Sequence, residues 1–388
     1  MRLFKRVFVL ALALVLSIAP ARAALGPDSI PAAFDEMLKV ASLANPAVIV
    51  IDGTTGQIVY GKNIDSQRKP ASVIKLLTGA VTLDYLDPQS VFETNVSIAP
   101  ENKTIVIRGS LDPWISSDHG VARKMNRASL TSMGSKTLTA IKAANGGSLK
   151  NYQVVYSNLY SEDIAKLKAY WANREFKPNI KSVSNEEALL QQGDAIATET
   201  SPTVAAILDW MLLWSDNLLA DRLARLSARA AGYSPDMKGV NKIFRTLLTR
   251  LEIDHSKLIV VDASGLSKKN KITAHLMGEF LYKIHKDEKY VFLHDSLPVG
   301  GVSGTLQDRF TTTAPNAVGL VRAKTGTLNG TATLAGYVES TDREYVFVVL
   351  ADKIPLGNSA LIKARAAMDR VLGRIAAPNI PAEVSPEP

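Results

Sequence analysis

Apolar runs of buried-strand type, one near the start of the chain and two near its end, constrain the fold more than anything between them. Ala47-Val-Ile-Val-Ile51 lies close to the start, and the runs at 331–338 and 345–351, split by a polar turn, lie close to the end. Runs without polar alternation belong in a sheet covered on both faces. Residues 57–60 follow the first run across Asp52-Gly-Thr-Thr-Gly56, so this pair reads as an antiparallel hairpin. Placing the first and last strands in one antiparallel sheet makes the domain discontinuous, with 85–200 as an insertion. Helical patterns fall at 31–44, 72–83, 201–213, 218–231, 238–251, 273–286 and 358–376, and a further strand is predicted at 257–261. The insertion holds strand-like pieces at 91–98, 103–108 and 152–156 and a helix-like stretch at 128–144. The class is therefore α+β.

Composition narrows the chemistry. With 388 residues, 46% hydrophobic and 21% charged, the chain can bury a large core and is neither disordered nor a polytopic membrane protein. It has no cysteine, which excludes disulfides, thiolate nucleophiles and iron–sulfur clusters. Residues 1–23 read as a signal peptide: a basic start (Arg2, Lys5, Arg6), an apolar run from Val7 to Ala19, and Ala21-Arg-Ala23 as the cleavage site. Its removal takes four basic residues and lowers the formal charge from +8 to +4. No dense basic tract with interleaved aromatics marks a nucleic-acid binder. Export to the periplasm or the extracellular cell-wall side, with no stable membrane anchor after cleavage, also argues against ATP or nicotinamide chemistry, so no cofactor is expected. The glycine and lysine spacing of a P-loop at Gly56–Lys62 fails because Asn63 stands where Ser or Thr is needed. The Pro-rich tail 377–388 reads as disordered.

Three short segments carry chemistry. In Pro70-Ala-Ser72-Val-Ile-Lys75 a serine precedes a lysine by three positions, so on a helix the hydroxyl and the amine share a face. A lysine serves as base to such a serine if burial and a neighbouring cation depress its pKa. Ser66-Gln-Arg-Lys69 has the same spacing, but Lys69 directly precedes a proline, which disfavours helix there. Trp214-Ser215-Asp-Asn217 falls between two apolar helical runs, where it also suits a helix N-cap. Ala323-Lys324-Thr325-Gly326-Thr327 reads by itself as a polar strand end. The five histidines (His119, His255, His275, His285, His294) include no His-Glu-x-x-His, and none is assigned to a metal.

In this order the three segments resemble the signature of penicillin-binding proteins and serine β-lactamases. Asp262-Ala-Ser-Gly-Leu-Ser267 and Leu297-Pro-Val-Gly-Gly-Val-Ser-Gly-Thr-Leu306 extend the likeness to the class C low-molecular-mass D-alanyl-D-alanine carboxypeptidases/endopeptidases. The resemblance implies a transpeptidase-type fold: a discontinuous peptidase domain (24–84 and 201–376) around an accessory domain at 85–200. Ser72 and Ser215 are 143 positions apart, shorter than is general in class C, so the accessory domain is read as reduced. The resemblance also implies the roles: Ser72 as nucleophile, Lys75 as its base, Ser215 as proton carrier and Asn217 as orienter. Lys324 supplies a cation, and Thr325, Gly326 and Thr327 receive the substrate carboxylate and amide. Peptidoglycan stem peptides are the implied substrate and β-lactams the covalent inhibitors. Two alternatives are a class A-like β-lactamase, whose deacylating glutamate would be sought among Glu252, Glu279 and Glu288, and a catalytically silent exported binding protein of the same fold.

Overall fold

The computed structural model describes residues 25–377; the signal segment and all of the tail except Ala377 lie outside them. The apolar runs at the two ends do meet. Strand β1 (Ala47–Asp52) pairs antiparallel with β10 (Arg343–Ala351), with Ala47 opposite Leu350 and Asp52 opposite Tyr345. Outside these come β2 (Ile58–Lys62) on one side, and β9 (Thr331–Ser340) then β8 (Val321–Leu328) on the other, in the order β2-β1-β10-β9-β8. All six residues of β1 are buried because each face is covered. Ile49 and Ile51 face a core shared with α2 (Lys75–Tyr85), α7 (Val204–Trp214), α8 (Asn217–Ala230), α9 (Met237–Arg250) and α10 (Ala274–His285). Val48 and Val50 face a second core with α1 (Ile30–Met37) and α12 (Asn358–Gly373). The remaining helix of this part, α11 (Val291–Asp295), follows α10 after a short turn. Fully burying one such aliphatic side chain stabilises by about 1.5–3 kcal/mol, so β1 ties both cores to one ribbon.

The insertion builds its own sheet. Its strands are β3 (Val91–Ala99), β4 (Thr104–Gly109), β5 (Gln153–Ser157), β6 (Ile180–Ser182) and β7 (Asp194–Thr203), in the order β6-β5-β4-β3-β7. The β4–β5 and β5–β6 pairs are parallel, which demands crossovers. After α3 (His119–Lys124), the helices α4 (Leu130–Ala144) and α5 (Ser161–Ala172) supply them, and α6 (Asn185–Leu190) leads into β7. Only the first crossover helix had a sequence counterpart.

Two expectations are corrected here. The strand predicted at 257–261 is absent: only Ile259 bridges, to Lys271, because Asn270 Oδ1 takes the N–H of Val261 and the chain turns away. The helix predicted from Ser201 begins at Val204, since 201–203 finish β7 and Thr203 Oγ1 caps the helix by accepting from Ala206 N.

The two sheets are held together by a buried contact of mixed chemistry. Arg222 of α8 donates to Asp163 of α5 at 2.9 Å and to the Pro113 carbonyl at 3.1 Å. The guanidinium also lies 3.8 Å from the centre of the Tyr160 ring. Beside it Trp114 packs on Trp210 of α7, which packs on Trp214. Removing one partner of a buried ion pair leaves the other charge uncompensated. Arg222→Ala is expected to lower stability by about 3–5 kcal/mol, read as a drop in denaturation midpoint. A midpoint unchanged within 0.5 kcal/mol, roughly the scatter of surface substitutions, counts against the contact as a structural clamp.

Candidate active site

Pro70 breaks the chain before α2, and the helix is entered through a 3-10 turn, Ala71–Ile74, that carries Ser72. Ala71 sits at φ 47°, a left-handed conformation that costs an L-residue free energy and is held by its surroundings. Thr333 of β9 supplies part of that hold by donating its hydroxyl to the Pro70 carbonyl at 2.8 Å. Two glycines permit the close packing around the turn. A Cβ on Gly326 would lie 2.1 Å from Thr333 Oγ1 and 2.9 Å from Ala71 Cβ; one on Gly265, at φ +86°, would lie 1.9 Å from the Ala71 carbonyl oxygen.

Lys75 is fully buried, and its ammonium finds acceptors from three separate segments. Nζ lies 2.9 Å from Ser72 Oγ, 2.7 Å from Asn217 Oδ1 and 2.6 Å from the Ser264 carbonyl oxygen. Burial pulls its pKa down to about 8, against the opposing pull of Asp221, Asp216 and Asp262. The shift thus comes from desolvation, where the sequence reading also invoked a neighbouring cation.

Asn217 opens α8, and Asp216 before it caps the helix by accepting from Leu219 N at 3.0 Å. The N-cap role and the site role therefore coexist in one tripeptide. Ser215 sits in the left-handed region at φ 61° and faces the cleft, but among the described residues its hydroxyl bonds to neither Ser72 nor Lys75.

The Asp262–Ser267 segment proves to be a fold of backbone around one carboxylate. Asp262 accepts N–H groups from Ser264, Gly265, Leu266 and Ser267, and the Ser264 hydroxyl as well. Burial raises its pKa, but these bonds, from Ser264, Ser267 and Gly265 above all, outweigh it and hold the carboxyl below its usual range. Asp221 of α8 and Thr78 of α2 fasten Ala263 from either side, at 2.9 and 2.8 Å. The Ser264 carbonyl is thereby aimed at Lys75.

Lys324, Thr325, Gly326 and Thr327 lie within the edge strand β8, rather than at a strand end. Lys324 is fully buried and donates to the Thr325 carbonyl at 3.1 Å, with no carboxylate partner among the described residues. Burial, then the nearby charge of Lys75, hold its pKa well below the ordinary lysine value. Thr325 Oγ1 donates to Thr305 Oγ1 at 2.8 Å, and Thr327 Oγ1 accepts from Arg365 Nη2 at 2.7 Å. Thr305, Thr325, Thr327 and Arg365 line a cleft of about 650 Å³ together with Ser72, Ser215, Asn217, Arg309 and Asp369, whereas Lys324 lies buried behind its lining. Sequence reasoning missed Arg309, Arg365, Asp369 and the Ser264 carbonyl. Asp-Ala-Ser-Gly was the available signal for the carbonyl; α12 offered none for Arg365. Glu252, Glu279 and Glu288 are not among the residues lining the cleft.

The site holds a serine against a desolvated lysine beside a strand edge and two cationic side chains, an arrangement suited to acyl transfer from a carboxylate-bearing amide. Comparison with known proteins agrees. Residues 156–375 match the model of the D-Ala-D-Ala carboxypeptidase 3 (S13) family, and residues 35–164 match that of D-alanyl-D-alanine carboxypeptidase (S11). Carboxypeptidase DacB of Mycolicibacterium smegmatis is 29% identical over 382 residues, spanning 86% of this chain and 83% of that protein. D-alanyl-D-alanine carboxypeptidase DacB of Haemophilus influenzae is 33% identical over 164 residues, 41% of this chain and 33% of its own length. The fold is similar to that of penicillin binding protein 4 from the same organism, solved with a β-lactam, at TM-score 0.68 and 19% identity, covering 88% of this chain and 98% of that one. Since no side chain fits at Gly326 without movement, Gly326→Ala is expected to push β8 from the Ser72 turn and cost about 1–3 kcal/mol, read by thermal denaturation. An unchanged melting temperature contradicts the close approach.

Proposed function

We propose, for a chain that belongs to the D-Ala-D-Ala carboxypeptidase 3 (S13) family, that Ser72 is the nucleophile and Lys75 its base. The protein is a serine DD-peptidase acting as a D-Ala-D-Ala carboxypeptidase. The observation that carries the residue assignment is the 2.9 Å contact between Lys75 Nζ and Ser72 Oγ, inside a cleft edged by β8. The substrate is the D-alanyl-D-alanine end of a peptidoglycan stem peptide, bound along the β8 edge.

Ser72 Oγ adds to the carbonyl carbon of the penultimate residue and gives its proton to neutral Lys75. The oxyanion sits between the backbone N–H groups of Ser72 and Thr327; losing one such donor typically costs about 2.7–4 kcal/mol of barrier. Collapse breaks the amide bond, and the proton passes from Lys75 by way of Ser215 to the departing amine of the terminal D-alanine. Water, relieved of a proton by Lys75, then hydrolyses the ester and frees Ser72. Asn217 holds Lys75 in place and orients the substrate amide. The terminal carboxylate meets Thr325 and Thr327 and supplies the counter-charge that Lys324 lacks. D-alanyl cross-links are open to the same chemistry.

A β-lactam has the shape of this amide and leaves no departing group to diffuse away, so it acylates Ser72 and stays. We assign 24–84 and 201–376 to the peptidase domain and 85–200 to the accessory domain. The compartment is the periplasm or the outer cell-wall side, a reading that the signal-like composition of residues 1–23 supports.

Ser72→Ala is expected to abolish both D-alanine release and covalent labelling by a fluorescent penicillin; labelling that survives sinks the nucleophile assignment. The depressed Lys75 pKa gives a signed pH profile. Only the neutral amine accepts a proton, so acylation slows about tenfold per pH unit below about 7 and levels off above about 9. Second-order acylation rates measured from pH 5.5 to 10 check this; a flat profile rules out Lys75 as the titrating base.

A further inference from the structure

At the end of the sheet away from the cleft, three side chains that the mechanism does not use converge. His285 ends α10, His294 lies on α11, and Glu344 stands near the start of β10. One ligand-type atom from each lies within 4.8 Å of the others. His285 Nε2 is 3.2 Å from Glu344 Oε2, and His294 Nε2 is 3.5 Å from Glu344 Oε1. Tetrahedral coordination at the usual zinc–nitrogen and zinc–oxygen lengths separates neighbouring ligand atoms by about 3.4 Å. The two imidazole–carboxylate spacings are close to that value, and the three ligand atoms need draw together only from within 4.8 Å to share one ion.

Three further features fit a cation. His294 Nδ1 lies 3.0 Å from Asp295 Oδ1, and with Nδ1–H donating to that carboxylate Nε2 would be the nitrogen available to a metal. This is the carboxylate–histidine pairing that orients metal-bound imidazoles. Nε2 of His294 is itself buried and makes no hydrogen bond, although Glu344 is close by. Beneath both rings lies Tyr337, buried, with its hydroxyl fixed to the Leu281 carbonyl at 3.0 Å and its ring 5.0 and 4.8 Å from the two imidazoles. That floor leaves the rings little freedom to turn, while the partial exposure of all three side chains keeps a path open to solvent.

We propose that His285, His294 and Glu344 bind one divalent cation of borderline softness, zinc foremost, as a clamp joining α10, α11 and β10. Two imidazoles and a carboxylate suit zinc, cobalt(II) or nickel(II) over calcium or magnesium, which prefer oxygen shells. This departs from the sequence reading that assigned no histidine to a metal: the ligands are nine and fifty residues apart, and only the sheet brings them together. The clamp lies outside the peptidase cleft, so its role is structural.

Calorimetric titration of the tag-free protein, freed of metal by chelation, with zinc chloride is expected to give one saturable site. Cobalt(II) should develop the visible absorption of a low-coordinate site. At a zinc concentration 100 times Kd the melting temperature should rise by about 4 °C. His285→Gln and His294→Gln should each weaken binding more than about tenfold with unchanged far-ultraviolet circular dichroism, while magnesium gives no response. Glu344→Gln keeps the side-chain shape and tests the carboxylate if a histidine variant does not fold. No saturable binding to the parent protein, or binding undiminished in all three variants, overturns the proposal.

Discussion

An ammonium taken out of water must recover its solvation from the protein, and Lys75 does so from three places that share nothing in sequence. Its acceptors come from its own helical turn, from the first residue of α8 and from a backbone carbonyl in the 262–267 loop. Two of these acceptors are held by further bonds, Asn217 by the Asp216 cap and Ser264 by the carboxylate of Asp262. The cost of burying that one amine thus fixes the relative positions of α2, α8 and the loop. The same desolvation pulls the lysine's pKa down to about 8, the property that the proposed base role requires.

How far the site could be read in advance follows from the kind of interaction involved. Ser72 and Lys75 could be paired in advance because three residues on a helix mean one face, but Ser66 and Lys69 share that spacing, and it took Pro70 and the two later motifs to single the pair out. Ser215, Asn217 and Lys324 were legible only through resemblance, as nothing local distinguishes them from a capping turn and a polar strand. The Ser264 carbonyl was missed although Asp-Ala-Ser-Gly stood in view, because a backbone acceptor has no side-chain signature of its own and only the ring of donors around Asp262 shows why it points where it does. Arg365 reaches Thr327 from the last helix, a contact set by how α12 crosses the sheet. In the fold, runs buried on both faces announced themselves, whereas 257–261 misled because apolar composition cannot reveal that Asn270 captures the strand's own N–H group. The parallel crossovers of the insertion lay beyond periodicity, which reports faces and not partners.

The insertion is more than a neighbour. Trp114, in the loop after β4, packs at a tilt on Trp210, which packs on Trp214, the residue directly before Ser215. The Arg222 contact closes the same seam from α8, whose first turn carries Asn217. Two of the helices that shape the cleft are therefore braced from behind by residues from 110–163, and the packing of the insertion bears on how steadily α7 and α8 present their ends.

The strand order has a consequence for how the molecule comes into being. With β1 hydrogen-bonded along its length to β10, the central pair of the larger sheet joins segments separated by almost the entire polypeptide. Such a sheet cannot close until the last strand has left the ribosome, and its high contact order makes closure slow. The smaller sheet draws only on 91–203 and can mature earlier, while the edge of β1 opposite β2 waits for β10. During that interval the chain is at its most vulnerable to mispairing along that edge.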